Sequence, residues 1–105
     1  MRSYLEIARH ALRQAQVPEQ PALDAAYSEL AGQAMQRIAE VCPPGALTWA
    51  REVHPALAKK IDAELLNRLD ELWGSYAPLS EFQAALDDLV DAHGAVGRLY
   101  AQSRR

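Results

Sequence analysis

The chain is poor in β-branched residues. Only Ile7, Val17, Ile38, Val41, Thr48, Val53, Ile61, Val90 and Val96 carry a branched β-carbon among 105 residues. No two are adjacent or alternate, so no segment reads as a strand. The single cysteine, Cys42, excludes an internal disulfide. No apolar run approaches the roughly 20 residues that a membrane span needs. Basic residues are in deficit, 11 against 14 acidic ones, for a formal net charge of −3. That balance gives no general pull toward nucleic acid or anionic membranes. The five glycines are scattered, so no loop can cradle phosphates, and no G-x-S-x-G, P-loop or G-x-G-x-x-G occurs. The N-terminus, with Arg2 and Glu6, becomes charged too early for a signal peptide, and the expectation is a cytoplasmic protein.

What remains is helix-forming. Ala, Leu, Gln, Glu and Arg dominate, and half the residues are apolar, as in a globular protein. A chain of this length makes one domain with a modest core. The expected fold is an all-α, single-domain helical bundle spanning 1–105. It has four main helices plus one short helix, arranged as two packed αα-hairpins.

The first helix is expected over 4–16, opened by a capping box of Ser3 and Glu6. Tyr4, Leu5, Ala8, Ala11, Leu12 and Ala15 share one face. Pro18 and Pro21 break it. The second spans 22–42, with Leu23, Tyr27, Leu30, Ala34, Ile38 and Val41 in a stripe, and stops at Pro43-Pro44-Gly45. The short helix spans 46–53. Pro55 then starts a new helix as its first residue, running to about residue 73. Leu57, Ile61, Leu65, Leu69 and Leu72 form its stripe, and Leu66 and Trp73 widen it, as for a helix touching more than one neighbour. Gly74 and Ser75 end it. The last helix spans 80–103, opened by a second capping box of Ser80 and Gln83. Phe82, Leu86, Leu89, His93, Val96 and Tyr100 face the core.

Few residues could carry chemistry. Asp87, Asp88 and Asp91 form a D-D-x-x-D string that suits magnesium, but they lie opposite the apolar stripe and read as a solvated acidic face. His93, in the middle of that stripe, reads as a core histidine satisfied by one hydrogen bond. His10, His54 and Cys42 lie in other segments without metal-ligand spacing. Cys42 at a helix C-terminus lacks the cationic setting of a nucleophile. Gly94 and Gly97 each cost a helix about 1 kcal/mol, and Gly97, beside the stripe, implies close packing of a neighbouring helix. No catalytic residue, metal or cofactor is therefore expected.

The leading expectation is a non-enzymatic interaction or scaffold module. It binds a protein partner or itself, as a homodimer, through Trp49, Val53, Leu66 and Trp73. The alternative is accessory nucleic-acid binding by Arg2, Arg9 and Arg13 with the C-terminal Arg104 and Arg105. Glu6 neutralises much of the first stripe. The acidic first turns of the last helix argue against a recognition helix there.

Overall fold

The computed structural model describes residues 20–104. Every element among them is helical. They are α1 (Gln20–Val41), α2 (Ala46–Val53), α3 (Pro55–Lys59), a π-helical turn (Lys60–Leu65), α4 (Leu66–Gly74) and α5 (Leu79–Ser103). The all-α bundle expected from composition is thus the observed fold. The first expected helix, and so the first expected hairpin, lies outside the described residues.

The breaks follow from local chemistry. Gly45 ends the proline pair with φ 85° and caps α2 from the left-handed region, which costs glycine little. His54 closes α2 and opens α3 at once. Its N–H donates to the Ala50 carbonyl at 2.7 Å, and its own carbonyl accepts from the Ala58 N–H at 3.1 Å. Pro55 then occupies the first helical position, where its missing N–H costs nothing.

α3, the π turn and α4 run on without a break in helical dihedrals. The sequence explains the wide turn. Leu57, Ile61, Leu65 and Leu69 recur every fourth residue. In a pure α-helix each would lie about 40° further round than the last, and the stripe would wind off the core. One i→i+5 turn rotates it back. Ile61, Leu65 and Leu69 are consequently all buried.

One helix ends at Gly74 and Ser75 as expected, though by another route, and the start of the last helix differs from expectation. The left-handed residue after α4 is Tyr76, at φ 52°, rather than a glycine. The Tyr76 N–H donates to Trp73 O at 3.1 Å and the Ala77 N–H to Leu72 O at 2.9 Å, the bond pair of a Schellman motif. Gly74 is instead helical and buried. The second capping box does not form. α5 begins at Leu79, capped by Pro78 without a side-chain bond, and the Glu81 and Phe82 N–H groups donate to the Pro78 carbonyl at 2.9 and 3.2 Å. Ser80 therefore sits inside the first turn, and Gln83 bonds Asp87 at 2.9 Å.

α5 is the central element. α1 packs on it most extensively, and α2, α3, the π turn and α4 also contact it. It is accordingly buried over much more than one stripe, including Ala85, Val90 and Ala92 besides Phe82, Leu86, Leu89 and Val96. The broad face expected of the preceding helix belongs, in greater measure, to this one. Tyr27, Phe82, Ile61 and Val96 are the largest fully buried side chains. At the far end α1 runs so close to α5 that a Cβ on Gly97 would lie 2.0 Å from the Val41 carbonyl oxygen.

Candidate functional site

α1 and α4 both pack on α5 and meet each other chiefly at one end. There Tyr27 stacks on Trp73 with centroids 5.7 Å apart and meets the edges of Phe82 at 4.8 Å and Tyr76 at 6.1 Å. Polar atoms tie this cluster together. Asp24 Oδ1 accepts from Trp73 Nε1 at 3.0 Å and from the Tyr76 hydroxyl at 3.1 Å. The Tyr27 hydroxyl donates to the Ala77 carbonyl. Burial, followed by neighbouring Tyr76 and Asp24, pushes the Tyr27 phenol up. These contacts offset the cost of Tyr76 in a left-handed conformation.

Beside the cluster, α1 and α4 flank an apolar groove of about 190 Å³. Phe82, Leu86 and Leu89 of α5 form its floor. Ala31, Ala34 and Met35 make one wall, and Leu66, Leu69 and Trp73 make the other. Among the described residues, Asp70 is the one charged residue lining it. The alanines of α1 are too short to fill the gap. Met35 is 62% exposed and Leu66 42%, high values for large apolar side chains facing each other across a cleft.

The four residues expected to bind a partner divide in two. Leu66 and Trp73 share this groove. Trp49 and Val53 lie on α2. Trp49 is half-buried, with its ring 5.4 Å from Tyr100 and 5.2 Å from His54, and Val53 is exposed. Met35, Ala31 and Asp70 had no place in the sequence reading. The available signal was Ala31 and Met35, at four-residue steps from Tyr27 and beside the rest of the main stripe of α1.

The remaining candidates do not assemble into a site. Asp87 and Asp88 turn to opposite sides of α5. Asp87 pairs with Arg37 of α1 at 2.8 Å and Asp88 with Arg68 of α4 at 3.3 Å. They are half-exposed, as on a solvated face, and each also pairs with a neighbouring helix. Asp91 is exposed. Among the described residues no group of three or more His, Cys, Asp and Glu could hold a metal ion. His93 is half-buried, and its Nδ1–H donates to the Leu89 carbonyl at 2.8 Å. Burial pushes the Cys42 thiol up, away from the reactive thiolate. Of the basic residues proposed for nucleic acid, Arg2, Arg9, Arg13 and Arg105 lie outside the described residues. Arg104 covers the Tyr100 ring at 5.3 Å and donates to its hydroxyl at 2.7 Å. Among the described residues no helix is long and apolar enough to cross a membrane.

No protein family, curated protein or solved structure matches the chain.

Proposed function

We propose that the protein is a non-enzymatic interaction module whose groove between α1 and α4 receives the apolar face of an amphipathic helix. The observation that carries this reading is the pair Met35 and Leu66, large apolar side chains left exposed on opposite walls of a cleft floored by core residues. A helix laid in such a groove anchors side chains at i, i+3, i+4 and i+7 spacing. The closed aromatic end at Tyr27 and Trp73 would set how far it slides. Trp49 and Val53, on α2, are peripheral to this interface, so the partner-binding set becomes Leu66, Trp73 and Met35.

The test is a tagged pull-down from the native cell lysate, comparing the native chain with a Met35→Glu/Leu66→Glu variant. Both positions are exposed, so the variant keeps its core. Proteins that survive nuclease treatment and disappear with the variant support the reading. An identical set captured by both chains would refute it. A set that vanishes with nuclease would favour the arginines and nucleic acid instead.

A further inference from the structure

We infer that the helix this groove receives belongs to another protein and is basic, with a lysine or arginine beside its apolar anchors, placed to meet Asp70. The inference rests on the reading of the groove as a helix-binding site, and it names the chemistry of the partner.

Charge on the two walls supports it first. Leu66, Asp70 and Trp73 stand four and three residues apart and so share one face of α4. All three line the groove. The carboxylate therefore sits along the α4 wall between two apolar contacts. Asp70 is exposed, and it makes no hydrogen bond or ion pair with the described residues. α1 and α4 hold one basic residue each, Arg37 and Arg68. Both are committed elsewhere, to Asp87 at 2.8 Å and to Asp88 at 3.3 Å. The acidic residues of the same helices are Asp24, Glu29 and Glu40 on α1, and Asp70 and Glu71 on α4. The α1 wall offers only Ala31, Ala34 and Met35, so the charge of the groove is all on one side. An incoming helix gains an ion pair from a cation on its α4 flank and meets repulsion from a carboxylate there.

A second copy of the chain fits less well. Among the described residues, the exposed large apolar side chains are Met35, Val41, Val53 and Leu66. Met35 and Leu66 are the lips of the groove itself, and Val41 and Val53 stand singly at the ends of α1 and α2. The apolar faces of α1, α2, α4 and α5 meet in one common core. No described helix of a second copy therefore has a row at i, i+3, i+4 and i+7 left to offer. Two copies set groove to groove would also bring two Asp70 carboxylates to one interface, where like charges repel.

Two synthetic helical peptides test this. Both carry leucines at i, i+3, i+4 and i+7. One has lysine, and the other glutamate, on both flanks of the central leucines, so the result does not depend on which way the peptide runs. The ε-methyl signal of Met35, one of two methionines in the chain, reports binding when the full chain is titrated. The lysine peptide should bind about threefold to tenfold tighter than the glutamate peptide at low salt, the range for an exposed ion pair exchanged for repulsion. The gap should narrow at high salt, and Asp70→Lys should reverse the order. Equal affinity for the two peptides, or an order that Asp70→Lys leaves unchanged, refutes the basic partner and leaves the helix-binding groove standing. A Met35 signal that neither peptide moves refutes both readings. A signal that moves with protein concentration alone overturns the outside partner and gives the groove to a second copy.

Discussion

At Gly97 the two longest helices leave no room for a methyl group. The nearest atom to a Cβ there is the Val41 backbone oxygen, followed by Val41 and Cys42 backbone carbons, and none of these can swing aside as a side chain can. Gly94, one turn earlier, is a useful contrast. A Cβ there meets the tip of Arg98 at 3.4 Å and the Val41 side chain at 3.8 Å, which is ordinary contact. Both glycines cost α5 helical propensity, but only Gly97 returns something for it. Gly97→Ala should therefore lower stability by about 1–3 kcal/mol through overpacking. Gly94→Ala should raise it by about 0.5–1 kcal/mol. Urea unfolding of the two variants checks the opposite signs. The sequence already pointed to close approach at Gly97, from its place beside the apolar stripe. It could not separate Gly97 from Gly94, because the distinction depends on which backbone passes overhead.

At the scale of the helix, periodicity is legible in the sequence and the helix ends are less so. The breaks at Pro43-Pro44-Gly45 and Pro55 act over neighbouring atoms, and both stand where they were expected. The π turn was not foreseen, although its cause, the four-residue spacing from Leu57 to Leu69, is visible in the chain. Helix propensity says nothing about how a stripe must stay aligned with a core. The entrance to α5 departs from its sequence signal for a related reason. Ser80 and Gln83 have capping-box spacing, but the Pro78 carbonyl already accepts from the first turn, and Ser80 lies inside the helix, past the N-cap position. Ser80→Ala should consequently change stability by less than about 0.5 kcal/mol, whereas loss of a true cap costs about 1 kcal/mol. A thermal unfolding scan that showed the larger loss would restore the capping box.

For the whole molecule, the fold class was legible because scarce β-branched residues and well-spaced breaks are local facts. The centrality of α5, the joining of Leu66 to Met35 and the separation of Trp49 from Trp73 were not, because each depends on which helices become neighbours. Charge shows the same division. Asp87 and Arg37 lie 50 positions apart in the chain and bridge α5 to α1 at 2.8 Å, while Asp62 of the π turn holds Arg51 of α2 at 2.9 and 3.1 Å. The hydrogen bonds from Arg37 and Gln83 hold the Asp87 carboxyl below its ordinary range, and the Arg51 guanidinium does the same for Asp62. A carboxyl lowered in the fold binds protons more readily in the unfolded chain. Its stabilisation is thus complete above the ordinary carboxylate pKa and is lost as pH falls through the lowered folded value. Both carboxylates are well exposed, 48% and 38%, so solvent screens them and the effect is small. Asp87→Asn should cost about 0.5 kcal/mol at neutral pH, and the gap from the native chain should close once acid has protonated the carboxyl. Urea midpoints of both chains, followed from neutral pH into acid and repeated at high salt, measure it. A gap that persists unchanged in acid would mean that the Asp87 side chain acts through packing or neutral hydrogen bonding with Gln83 rather than through its charge.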